Sequence, residues 1–149
     1  KLKTKLDIGV HKLLDIKQDE YCFDLSIINK NANLLINSKE QIFVEKIKSL
    51  LKLGFRLTRY KDLFDFYYLI NKTELDKEKL MNCFNILIFK DETMRENNIK
   101  DVVNRLQMTF NSNAYRNHLS NPKNNWLDIT VDDAIMSVLK YIKSLGEKL

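Results

Sequence analysis

Lys46 lies four residues after Ile42, three after Phe43 and four before Leu50. On a helix of 3.6 residues per turn it therefore falls inside the apolar arc formed by Ile42, Phe43, Ile47, Leu50, Leu51 and Leu53. An ammonium on the core side of a helix is costly to desolvate unless a carboxylate or a ligand phosphate receives it. The other outcome is snorkelling, with the stem packed and the head in water. The segment Arg59-Tyr60-Lys61-Asp62-Leu63-Phe64-Asp65-Phe66 offers receivers, because Asp62 and Asp65 are three apart and share a helix face with Leu69. Arg59, one turn before Asp62, is a second cation within reach. Two readings stay open on spacing alone: a structural ion pair, or a carboxylate poised as general base beside a lysine that grips phosphate. Lys48 and Lys52 fall on the far side of the first helix, in solvent.

The remaining candidates are less well marked. Asp7 stands beside Lys5 on the polar face of an alternating segment, where a carboxylate is a metal ligand or a surface acid. His11 and His118 are unaccompanied. Cys22 and Cys83 have no CxxC and no histidine at ligand spacing, so both read as buried thiols in a reducing compartment. There is no Gly-rich phosphate loop, no HExxH and no nucleophile paired with a base. Trp126, Phe110 and Tyr115 read as core aromatics rather than stacking platforms.

The elements that must hold these residues follow from periodicity and punctuation. Residues 3–10 alternate, with Leu6, Ile8 and Val10 on one face; residues 21–28 and 33–37 read as further strands around an Asn29-Lys30-Asn31 turn. Ser38 with Gln41 three residues later forms a capping box that starts a helix, and Gly54 ends it. A second helix spans 59–70, and Thr73 caps a third running through 88. Residues 91–98 read as loop, 99–110 as a fourth helix, and a short helix follows Ser112. Residues 121–125 form a loop closed by Trp126. Thr130 caps the last helix, with Gly146 as its terminator. The fold class is α+β: a small β segment, then a helical bundle.

Composition agrees. The 149 residues are 44% hydrophobic and 30% charged, with three Gly and one Pro, as in a globular, helix-rich domain. No apolar run approaches the ~20 residues of a membrane span, and no signal peptide is evident, so membrane partners are excluded and the cytoplasm is expected. The net charge of +5 favours phosphate-bearing partners.

The succession Leu6-Asp7-Ile8-Gly9-Val10, then Ser38-Lys39-Glu40-Gln41-Ile42-Phe43-Val44-Glu45-Lys46-Ile47-Lys48-Ser49-Leu50, then Arg59 to Phe66 resembles the AbiEii family. These are abortive-infection nucleotidyltransferase toxins of bacterial type IV toxin–antitoxin systems. The Glu45-Lys46 helix is similar to that family's third motif and Arg59-x-Lys61-Asp62-Leu63-Phe64-Asp65 to its fourth, and the helical tail with its single Trp looks like its C-terminal part. The resemblance implies that Lys46 contacts the phosphates of an NTP, with Arg59 and Lys5 alongside, and that Asp62 is the catalytic acid–base residue. Asp65 is then the runner-up or an orienting partner, and Glu45 a supporting residue. Asp7 would match the strand carboxylate that accompanies the metal-binding pair, with Mg2+ as cofactor. The implied partners are an RNA acceptor such as tRNA and a cognate antitoxin, and the implied role is phage defence. Residues 1–37 would be the last strands of the catalytic core and 38–149 a helical C-terminal domain.

The sequence departs from the family in one respect. The first motif, a Gly-Ser or Gly-Gly turn followed by alternating acids on a strand, is absent; Asp19-Glu20 and Asp132-Asp133 are adjacent acids. Since the chain begins with Lys1 rather than Met, the expectation is that part of the catalytic core lies outside it and that this chain alone is inactive. The alternative is a non-catalytic helical module that binds nucleic acid or a protein.

Overall fold

The computed structural model describes residues 15–25, 30–54 and 59–147. The expected strand at 3–10, with Lys5 and Asp7, lies outside them. The described β segment is one antiparallel hairpin, β1 (Asp19–Leu25) and β2 (Lys30–Ile36), with Asp19 opposite Ile36 and Leu25 opposite Lys30. Both strands begin earlier than the sequence suggested, and Lys30 and Asn31 belong to β2 rather than to a turn. The register is the reason: pairing Asp19 with Ile36 puts the connection at residues 26–29, outside the described residues. Gln18 donates to Asn37 Oδ1 at 3.1 Å and closes the open end of the hairpin.

Among the described residues six α-helices follow: α1 (Lys39–Leu53), α2 (Asp62–Lys72), α3 (Lys77–Phe84), α4 (Ile99–Phe110), α5 (Asn113–Leu119) and α6 (Val131–Gly146), with a π-helical turn, Asn85–Phe89, continuing α3. The α+β class, a small sheet ahead of a helical bundle, is thus observed. No described helix is long and apolar enough to cross a membrane.

Helix α1 is the centre of the bundle and packs against α2, α3, the π turn and α4. Phe43, Val44, Ile47, Leu50 and Leu51 are its buried stripe. Ile42 and Leu53, at the margins of the expected arc, are exposed instead, because a helix in contact with neighbours on one side buries only the middle of a broad stripe. Phe43 meets Phe66 of α2 edge-on with ring centroids 5.1 Å apart, and α2 is buried on both sides through Leu63, Phe64 and Phe66. Helix α6 closes the bundle against α2 and α4.

Caps account for most boundaries. Ser38 Oγ accepts from Gln41 N at 3.1 Å, but the Gln41 side chain donates to Glu45 instead of returning, so only half of the capping box forms. Thr73 does not open α3: its hydroxyl donates to Leu69 O at 2.6 Å and closes α2. Asp76 caps α3 through the amides of Glu78 and Lys79, and its own N–H donates to the buried Glu40 Oε1 at 3.0 Å, which fastens α3 to the start of α1. Thr130 caps α6 as expected, whereas Gly146 is the last residue of α6 rather than a left-handed terminator. A Cβ there would lie 3.2 Å from Ile99, so the small residue admits a close approach to α4.

Lys48 is not free in solvent as expected. It pairs with Asp91 at 2.5 Å and pins the 91–98 segment to α1. Hydrogen bonds from Lys48 and then Thr93 hold the Asp91 carboxyl well below the usual carboxylate range. Of the two cysteines only Cys83 is buried; Cys22 is exposed on the hairpin.

Two outcomes are expected from these features. Gly54 ends α1 at φ +53 and ψ −131, where side chains are strained, yet an added Cβ would meet nothing nearer than 4.0 Å among the described residues. Gly54→Ala should therefore cost about 1–3 kcal/mol from backbone strain alone, read as a lowered denaturant midpoint with an unchanged slope. Burial, and after it the charges of Glu40 and Glu45, push the Cys83 thiol up to about 11. In native protein at pH 8 iodoacetamide should label Cys22 and spare Cys83, and both should react after unfolding. Equal native labelling would contradict the burial of Cys83.

Candidate functional site

The second turn of α1 and the first turn of α2 meet at their polar edges, and three charged side chains converge there. Lys46 Nζ donates to Asp62 Oδ1 at 2.5 Å and to Asp65 Oδ2 at 2.8 Å. The group is graded in exposure: the Asp62 side chain is 5% exposed, Lys46 24% and Asp65 32%. Asp62 forms the floor and Asp65 the rim. The i, i+3 spacing puts the two carboxylates on one face of α2, and their place in its first turn suits them, because the exposed backbone N–H groups there favour negative charge.

The electrostatics follow from this geometry. Burial by itself would lower the Lys46 ammonium, but the hydrogen bonds to Asp62 and Asp65, reinforced by their charges, outweigh it and raise it above the ordinary lysine value. Asp62 Oδ2 is buried and has no hydrogen-bond partner among the described residues. Asp65 has both oxygens engaged, because Trp126 Nε1–H donates to its Oδ1 at 3.1 Å.

Behind Asp62 lies an aromatic wall. Tyr115 is fully buried, its ring 5.4 Å from that of Tyr60 and 5.9 Å from that of Phe110. His118 stacks on Tyr60 at 4.3 Å, with the planes 16° apart. The Tyr115 hydroxyl has no partner among the described residues, and burial, with the Asp62 charge adding to it, raises its ionisation above the usual tyrosine value.

Other residues singled out from the sequence stand apart. Arg59 is exposed and makes no ion pair with Asp62; among the described residues Lys46 is the cation that Asp62 engages. Glu45 accepts from Gln41 at 2.9 Å and is not part of the lysine cluster. Lys5 and Asp7 lie outside the described residues. No group of three or more His, Cys, Asp or Glu able to hold a metal occurs among the described residues. Asp62 and Asp65 already share an ammonium, so they do not form a Mg2+ seat by themselves. An open, mostly apolar cavity of about 760 Å3 lies between the π turn, α4 and the end of α6, and none of Lys46, Asp62, Asp65 or Trp126 lines it.

The expectation that Trp126 is a core residue is overturned, for the indole is 51% exposed. Its loop is held by side-chain amides: Asn124 Nδ2 donates to His118 O at 2.8 Å and Asn125 Nδ2 to Ile129 O at 2.6 Å. Asp128 then takes φ +53, a left-handed turn that aspartate tolerates better than most residues. A tryptophan directly after an asparagine-rich turn was the available signal for a displayed ring, although nothing in sequence ties it to Asp65, 61 residues earlier.

The family model described as nucleotidyl transferase AbiEii toxin, type IV TA system, matches residues 1–135. No curated protein and no solved structure matches the chain.

The raised lysine gives a signed pH dependence. Its contribution to stability is complete below the unfolded lysine value of about 10.4 and is lost as the pH rises through the higher folded value. Lys46→Met should destabilise the fold at pH 7 by on the order of 2 kcal/mol, between the losses seen for exposed and for buried pairs. The difference from wild type in denaturant unfolding should shrink at pH 11; a difference that grew there would contradict the pairing.

Proposed function

The chain belongs to the AbiEii nucleotidyl transferase toxin family of type IV toxin–antitoxin systems, and from that membership we propose that Lys46 and Asp62 form the centre at which a nucleotide passes from an NTP to an RNA acceptor such as tRNA. Membership implies a nucleotide substrate and an antitoxin partner. The setting we propose is the cytoplasm of a bacterium under phage attack. Nucleotidyltransferases as a class use a divalent metal, and we take Mg2+ as the ion carried by the triphosphate, since this ion is commonly held by substrate phosphates together with few carboxylates.

The observation that carries the reading is one ammonium shared by two carboxylates, the inner of them held almost wholly beneath it. In nucleotidyl transfer the acceptor hydroxyl oxygen attacks the α-phosphorus, a P–O bond forms, the bond to the β-phosphate bridge breaks, and pyrophosphate leaves. The hydroxyl proton needs an acceptor, and the phosphates need a cation that holds them in line. Lys46, partly exposed, supplies the cation. Asp62 supplies the proton acceptor through Oδ1, which the ammonium covers and would uncover as it turns, while Asp65 stays tied to Trp126. As the ammonium turns toward phosphate, Asp62 loses its closest partner and is opened to the acceptor hydroxyl. Arg59, exposed before α2, is placed to meet the outer phosphates, and Asp7 with Lys5, which lie outside the described residues, would add their groups.

The test is transfer of labelled nucleotide to tRNA by protein expressed from the complete reading frame. Lys46→Ala and Asp62→Ala should each reduce labelling by about a hundred- to ten-thousandfold, and Asp62→Asn should do so with a folded helical circular dichroism spectrum at the assay temperature, its melt lowered no more than that of Lys46→Met. Labelling at the wild-type rate by all three variants would remove Lys46 and Asp62 from the reaction.

A further inference from the structure

Trp126 is the only tryptophan in the chain, and it exposes half of a large apolar ring beside charged groups. A ring of that size is ordinarily among the most buried of side chains. Here the exposure is maintained rather than accidental. The indole N–H is anchored on Asp65 Oδ1, the loop that carries it is held by Asn124 and Asn125, and its ring is tilted against Tyr68 at 5.4 Å. Tyr68, on the next turn of α2 from Asp65, is itself 40% exposed. Two rings therefore present a joint aromatic surface to solvent.

Its position gives that surface a meaning. A single carboxylate, Asp65, separates the indole N–H from the Lys46 ammonium, one oxygen accepting from each. A nucleotide has the matching pair of features, an anionic phosphate chain at one end and a flat π-face at the other. Aromatic side chains stack on any base, because every base offers that face. We propose that Trp126 with Tyr68 is the stacking surface for the nucleobase of the NTP whose phosphates Lys46 receives. This rests on the assignment of Lys46 to phosphate and adds to it the residues that hold the base. The recognition is by stacking, so it favours nucleotides over bare polyphosphate and discriminates weakly among bases.

The ring is also its own reporter. With Mg2+ present, titrating the protein with ATP should quench the Trp126 emission, whereas inorganic tripolyphosphate, which offers the charge without the base, should bind without quenching it. By calorimetry, Trp126→Leu should weaken ATP binding roughly five- to a hundredfold, the range for losing one stacked base, with tripolyphosphate affinity unchanged. Trp126→Phe keeps a ring but loses the bond to Asp65 and should retain most of the affinity. Trp126→Leu binding ATP as tightly as wild type, while Lys46→Ala loses both ligands, would overturn the stacking surface and leave the phosphate assignment standing. Lys46→Ala binding both ligands as wild type would overturn the phosphate assignment itself. Loss of tRNA binding in Trp126→Leu with ATP binding intact would give the surface to an acceptor base and overturn the proposal.

Discussion

One ammonium bridging two carboxylates is the contact on which the functional part of this molecule depends. It joins α1 to α2 at their polar edges, while Phe43 and Phe66 join them in the core. The two contacts have different consequences. The aromatic pair stabilises the crossing of the helices and tolerates small shifts, since burial is not directional. The charged group fixes which turn of α2 faces Lys46, because Nζ must reach Asp62 and Asp65 together. A displacement of α2 along its axis by one residue would break both bonds and leave a carboxylate that is 5% exposed without its cation. Breaking a buried pair costs more than forming it gains, so the cluster is better understood as a constraint on geometry than as a source of net stability.

The same group sets the local charge. Two carboxylates and one ammonium sum to a net negative charge although the whole chain carries +5. Long-range attraction brings a phosphate-bearing ligand toward the protein, while the first contacts at Asp65 repel it. A triphosphate arriving with a divalent cation avoids this conflict; a bare anion does not. The grading of exposure, from Asp62 at 5% to Asp65 at 32%, means that an incoming ligand meets the outer carboxylate first and the inner one only after the lysine has moved.

What could be read in the sequence was what depends on near neighbours. Lys46 inside an apolar stripe, two aspartates three apart, Ser38 and Thr130 before their helices and Gly54 after α1 are all local signals, and the helices they imply are present. The errors were also local in origin. Thr73 stands where a cap would stand, but its hydroxyl found the carbonyl behind it rather than the amides ahead, and Asp76 took the cap. Lys30 and Asn31 have turn chemistry, but the register of the hairpin overrode it and placed them in β2. Lys48 pairs with Asp91, 43 residues away, and Trp126 with Asp65, 61 residues away. Pairings at such separations are decided by how helices cross, and helical periodicity holds no information about that.

The displaced tryptophan shows how position converts one kind of residue into another. In composition Trp126 is an ordinary core candidate, and a chain with 44% hydrophobic residues has room for it inside. Its indole N–H, however, must find an acceptor wherever the ring is buried. Among the described residues the bond it makes is to Asp65, at the rim of the charged group, and a ring tied to the rim remains at the surface. The polar handle therefore decides against burial of the apolar body, and the loss of hydrophobic stabilisation is offset by Tyr68 against one side of the ring and by a bond to a charged acceptor. Asp65 serves both ends: it orients Lys46 with one oxygen and holds the indole with the other. Any change at Asp65 thus reaches the cation and the ring at once.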